Sequence, residues 1–151
     1  VDPERLATLP EKIRRWLGGD LPIEFRHEHN IDRLMPEKRP PQQRIWFRVV
    51  APIDDSPALH RALLAYASDF NLIGTATLPH GISLYTHHMQ MASLDHALWF
   101  HRPFRVDDWL LYACDSPTAQ GGRGFARGQV FSRDGKLVAS SAQEGLIRLR
   151  D

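Results

Sequence analysis

The stretch Met91 to Phe104, MASLDHALWFHRPF, places Ser93, Asp95, His96 and His101 within nine residues. These are the residue types of a nucleophile with a base and an orienting carboxylate, yet their spacing argues against that chemistry. In a continuous strand successive side chains point to opposite faces, so the adjacent Asp95 and His96 cannot easily pair as base and orienter. Ser93 lacks the Gly-x-Ser-x-Gly setting in which a sharp strand-to-helix turn presents a nucleophilic hydroxyl. By parity it faces with Met89, Met91, Asp95 and Ala97, opposite to Gln90, Ala92, Leu94 and His96. It is either a core serine or a small hydroxyl on the inner face of a site. His87 and His88 adjoin each other, and no His-Glu-x-x-His or paired-cysteine spacing offers metal geometry. A structural or surface role is expected for each histidine, and no metal or cofactor is expected.

Two other side chains carry possible chemistry. Asp69, in YASDFNLIG, lies roughly 100° from the centre of a helical apolar face, beside Tyr66 and Ile73. It is either a solvated carboxylate or a half-buried one, where desolvation and directed hydrogen bonds would make it a useful base. By alternation in the last strand Gln143 shares a face with Leu137, Ala139, Ser141, Ile147 and Leu149, opposite to Lys136, Glu144 and Arg148, which puts an amide on an apolar face. A buried amide needs partners, so Gln143 either bonds neighbouring backbone or orients something in a cleft.

The elements that must position these residues follow from periodicity and turn chemistry. PEKIRRWL, residues 10–17, predicts a short helix stopped by Gly18 and Gly19. PIEFRHE and RIWFRVVAP predict two strands joined by a proline-rich loop. Ser56 as N-cap, Pro57 at the first helical position and Gly74 as the stop predict a helix of about five turns. Its packing face would carry Leu59, Leu63, Tyr66, Ala67, Phe70 and Ile73. Three or four strands follow, and Asp134-Gly135 predicts a tight type I′ hairpin between the last two. AQGGRGFARG fails the phosphate-loop and dinucleotide patterns and predicts a loop and edge strand, in which Arg123 and Arg127 could meet phosphates. Two strands, one long helix and a terminal meander make an α+β fold of two layers, the order of a hot-dog fold: a curved antiparallel sheet wrapped on one helix.

Composition narrows the partners. With 42% hydrophobic and 25% charged residues in 151, the chain can bury one core. A formal charge of +1, without a long run of either sign, argues against a nucleic acid groove. No apolar run approaches the roughly 20 residues of a membrane span, and no secretory leader is evident. The single cysteine, Cys114, excludes an internal disulfide framework and fits a reducing compartment, so cytoplasm is the default. The absence of an initiator methionine suggests the latter part of a longer protein.

Taken together, LLAYASDFNLIG, MASLDHALWFHRPF, DWLLYACDSP, RGFARGQVF, DGKLVAS and AQEGLIR resemble the C-terminal hot-dog domain of the type II acyl-CoA thioesterases, the TesB type. The match runs in order from about Pro22 to the end, and SLDHALWFHRPF and QEG are its specific blocks. The resemblance implies a linker segment with a short helix over residues 1–21, a hot-dog thioesterase domain over 22–151, and a preceding hot-dog domain of the same polypeptide whose sheet pairs edge to edge with this one. It also implies acyl-CoA as substrate, a homo-oligomer, and hydrolysis to fatty acid and coenzyme A without an acyl-enzyme. The family's aspartate, hydroxyl residue and glutamine fall on Asp69, Ser93 and Gln143, which would hold the attacking water. Two alternatives are a hot-dog hydratase or dehydratase, which would need a histidine beside the helix where only His60 is offered, and a fragment that binds acyl-CoA without turnover.

Overall fold

The computed structural model describes residues 21–29, 31–85 and 88–150, together with Ala7, Glu11 and Arg14. The short helix expected over residues 10–17 lies outside these, save for Glu11 and Arg14, which are helical. The elements run β1 (Ile23–His27), β2 (Gln42–Val49), α1 (Pro57–Asp69), a 3-10 helix (Ile73–His80), β3 (Met89–Ser93), β4 (Ala97–Phe100), β5 (Leu110–Gln120), β6 (Arg123–Ser132) and β7 (Leu137–Leu149). The strands form one antiparallel sheet in the order β1-β2-β5-β6-β7-β3, with β4 also on β7. Phe47, Leu110, Tyr112, Val130 and Val138 on the sheet and Leu64 and Ala67 on α1 belong to one buried core. This is the α+β hot-dog arrangement, a curved sheet closed over a helix. Among the described residues no helix is long and apolar enough to cross a membrane.

The helix begins as expected and ends early. The Ser56 hydroxyl accepts from the Leu59 N–H at 3.4 Å, and Pro57 opens the first turn. Helix α1 stops at Asp69, short of the expected five turns, because Asn71 turns the chain with φ of 69°. Asparagine tolerates that left-handed conformation better than most residues. The turn is clamped: Gln43 Nε2 donates to the Asn71 carbonyl at 2.8 Å and to Thr75 Oγ1 at 2.7 Å, and Arg33 donates to Asn71 Oδ1. The buried face also differs from the expected one. His60, Leu64, Ala67 and Ser68 are buried, whereas Leu59 is 40% and Tyr66 53% exposed. Polar His60 and Ser68 could take the inner positions because each finds a partner there: the Val106 N–H donates to His60 Nδ1 at 3.1 Å, and Ser68 is bonded as described below.

The two hairpins of the meander differ from expectation, the first in the place of its strand and the second in turn type. Gly121 and Gly122, at φ of 62° and 73°, join Gln120 to Arg123 as the two-residue turn in which both central residues need positive φ. Strand β6 is thus interior, between β5 and β7, and not an edge. At the second hairpin only Gly135 is left-handed. The Gly135 N–H bonds the Ser132 carbonyl at 2.9 Å and the Ser132 N–H bonds the Lys136 carbonyl at 3.0 Å. That is a three-residue loop whose glycine forms a bulge, and the register shifts beside it between Val130 and Phe131.

The largest departure lies in the strand expected over SLDHALWF. It is broken into β3 and β4, because Ser93 pairs with Gly145 and Ala97 with Ala142, so three residues on this side oppose two on β7. The N–H groups of Leu94 and Asp95 both reach the Glu144 carbonyl, at 2.9 and 3.4 Å, and Asp95 Oδ1 accepts the Glu144 N–H at 2.6 Å. One extra residue reverses the alternation. Ser93 faces inward before the bulge; after it, His96 and Leu98 do.

Candidate active site

The three residues singled out by sequence meet at one end of α1. Asp69 is the last residue of α1, Ser93 the last of β3, and Gln143 lies in the middle of β7. Gln143 Nε2 donates to Asp69 Oδ1 at 2.6 Å and to Ser93 Oγ at 2.9 Å, while Ser93 Oγ donates to Asp69 Oδ1 at 3.4 Å. Gln143 is fully buried, on the β7 face with Ala139, Ser141 and Gly145, as alternation required. Gly145 keeps that face open to the 3-10 helix: a Cβ there would stand 2.4 Å from Ile73 Cγ1. The Asp69 side chain is 59% exposed, more open than the half-buried carboxylate weighed from sequence.

These bonds leave the two carboxylate oxygens of Asp69 unequal. Oδ1 takes both, and Oδ2 takes none from the described residues. Both hydrogens of the Gln143 amide are used, which leaves its Oε1 buried and without a partner among the described residues. The free Oδ2 can accept a proton from whatever occupies the adjoining groove.

That groove has a volume of about 630 Å³, and Asp69 and Ser93 line it. Ile73, Leu78, Ile82, Met89 and Met91 supply much of its apolar wall. Arg33 also lines it and contacts only neutral groups among the described residues: Asn71, Tyr85 Oη at 3.4 Å and His27 Nε2 at 3.4 Å. Burial, with Arg33 beside it, lowers the His27 pKa from 6.5 to about 4. The unfolded chain therefore takes up a proton at higher pH than the folded one. Stability contributed by His27 is present above pH 6.5 and declines as pH falls toward about 4. Chemical denaturation across that range should show this slope, and His27→Gln should reduce it.

A model of the acyl-CoA thioesterase family matches residues 19–146. The chain belongs to that family. It is 40% identical over 144 residues to Acyl-CoA thioesterase 2 of Haemophilus influenzae, covering 95% of this chain and 50% of that protein. It is 37% identical over 150 residues to Acyl-coenzyme A thioesterase 8 of Homo sapiens, covering 99% and 46%. The crystal structure of the acyl-CoA thioesterase II TesB2 from Mycobacterium marinum superposes with a TM-score of 0.73 at 41% identity, over 96% of this chain and 54% of that one. This thioesterase-family chain thus spans about half the length of the relatives it matches.

Other residues weighed from sequence lie elsewhere. His60 is buried on the inner face of α1, its Nδ1 accepting the Val106 N–H. Arg127 is paired with Asp115, and Arg123 lies 3.6 Å from Glu144, so neither guanidinium is unpaired. Cys114 is buried and its thiol pKa is pushed up by that burial. One site neighbour escaped the sequence: His96 stands 3.9 Å from Asp69 Oδ1, having been assigned to the opposite face from Ser93. The signal was the bulge, and nothing in SLDHALW marks it locally.

Proposed function

We propose that this thioesterase-family chain is the catalytic half of an acyl-CoA thioesterase that hydrolyses fatty acyl-CoA by direct attack of water. The observation that carries the proposal is the closed set of bonds among Asp69, Ser93 and Gln143, which leaves Asp69 Oδ2 as the open base at the head of an apolar groove. A water bound there gives one proton to Oδ2 while Ser93 Oγ orients it, and its oxygen attacks the thioester carbonyl carbon. The tetrahedral intermediate then collapses with loss of the C–S bond, and the leaving thiolate recovers the proton from Asp69. The acyl chain occupies the apolar groove, where each buried methylene contributes about 0.8 kcal/mol. Ser93 is a poor nucleophile here, because no described residue accepts its proton except Asp69, at 3.4 Å.

The preceding half of the protein would be a second hot-dog domain. In support, the chain spans half of its relatives, and β3 and β4 form an outer edge with Leu94, Trp99 and Phe100 exposed. An exposed apolar strand edge calls for a cover, and covering it would also shield the open Asp69 from bulk water. The hydratase alternative finds no support, since His60 is turned into the core and His96 does not line the groove. The test is release of free thiol from medium- and long-chain acyl-CoA, by the full-length protein and by this chain alone. Thiol release by the full-length protein is expected, with little from the chain alone. Saturable acyl-CoA binding without any thiol release would leave only the binding role.

A further inference from the structure

Behind the Asp69 carboxylate runs a second polar chain that the chemistry above leaves unused. Ser68, the residue before Asp69, is fully buried. Its hydroxyl donates to the Ala65 carbonyl at 2.9 Å, so its oxygen is left to accept, and His96 Nε2 lies 2.9 Å from it. This places the ring hydrogen on Nε2. The Ser68 carbonyl, in the last turn of α1 where helical partners run out, accepts from the Tyr112 hydroxyl at 3.0 Å. Tyr112 Oη is 2.7 Å from Ser141 Oγ, and Ser141 sits two residues from Gln143 on the same face of β7. The other nitrogen of His96, Nδ1, is the one facing Asp69, 3.9 Å from the same Oδ1 that Gln143 and Ser93 hold. His96 can do this only because the bulge at Leu94–His96 brings it to the helix side.

We propose that His96 is a positioning residue for hydrolysis: by donating from Nε2 to the buried Ser68 hydroxyl, it fixes the last turn of α1 so that Asp69 Oδ2 stays aimed into the groove. The proposal rests on the thioesterase function above. Asp69 is exposed and ends its helix, so its direction depends on what holds that final turn. Gln143 and Ser93 grip the carboxylate from the groove side, while His96 and Tyr112 grip the backbone and side chain of Ser68 from behind.

The test is thiol release by the full-length protein, with kcat and KM measured separately and the melting temperature followed. His96→Ala is expected to lower kcat about tenfold or more, with KM changed much less, because small misplacements of a catalytic group are costly to rate. His96→Gln, which keeps an N–H donor in reach of Ser68, should recover most of that loss. Ser68→Ala should lower kcat similarly, and the double variant His96→Ala/Ser68→Ala should be no slower than either single one, since both remove the same link. Should His96→Ala fail to fold, the folded Ser68→Ala variant decides. Wild-type kcat in either folded single variant, or a lowered melting temperature with kcat unchanged, overturns the proposal while leaving the thioesterase function standing. A full-length wild-type protein that releases no thiol removes that function, and this proposal with it.

Discussion

Asp69→Asn is expected to lower kcat for acyl-CoA hydrolysis in the full-length protein by about a thousandfold, within the range that a positioned general base contributes. The amide keeps the shape of the side chain, and its carbonyl oxygen can still accept from Gln143 at the position of Oδ1. It replaces Oδ2, the one oxygen no described residue bonds, with a group that cannot take a proton. Asp69→Ala should lose at least as much. Asp69→Asn should disturb folding by no more than about 0.5 kcal/mol, because the side chain is exposed and its amide oxygen keeps the bond from Gln143, whereas Asp69→Ala takes the acceptor from the buried Gln143 amide and should cost about 1 kcal/mol. Thiol release and thermal melting on the same samples check both halves, and unchanged turnover would remove Asp69 from the mechanism.

Gln143→Leu should separate activity from stability. Gln143 is fully buried, and its Oε1 has no partner among the described residues, a cost of about 1–3 kcal/mol for a buried acceptor. Leucine removes that acceptor while filling most of the same volume, and the partners it abandons, Asp69 and Ser93, are exposed enough to bond water. The variant is therefore expected to be as stable as wild type or about 1 kcal/mol more so. Its kcat should fall about a hundredfold, because the carboxylate and hydroxyl lose the donor that holds them in register. A destabilised but fully active variant would assign Gln143 to the core alone. Sites that keep a buried, unsatisfied polar group tend to do so for function.

Much of the site was legible before the fold was known. Period-two alternation in β7 placed Gln143 on the inner face, and the same alternation placed Ser93 inward in β3, as the structure has them. Asp69 was placed at the border of the helix's core face, and it sits at the helix end. The helix start was legible because Ser56 and Pro57 act locally, through one hydroxyl and one missing N–H. Its end was not. The clamp on Asn71 comes from Gln43 and Arg33, 28 and 38 residues away in sequence, and no local pattern announces it. The choice of buried face was hidden for a similar reason. A stripe containing both Leu59 and Leu63 beside Leu64 is wide enough for several rotations of the helix, and only partners such as Val106 for His60 and His96 for Ser68 decide among them.

By itself, then, the sequence determined most of the element types and the inward faces of β3 and β7, because propensity, capping and strand alternation are properties of neighbouring residues, while the grouping of Asp69, Ser93 and Gln143 came from the resemblance of their blocks to the thioesterase family. The tertiary structure alone decided that, among the described residues, Asp69 Oδ2 and Gln143 Oε1 have no hydrogen-bond partner, and that His96 stands behind the candidate site. For His96 the physical reason is a single extra residue, and for Asp69 and Gln143 it is which atoms three distant segments bring together. Strand alternation has a period of two, so the bulge opposite Gln143 and Glu144 turns His96 from the outer face to the inner one, and that bulge is formed by Glu144, on another strand, bonding Leu94 and Asp95.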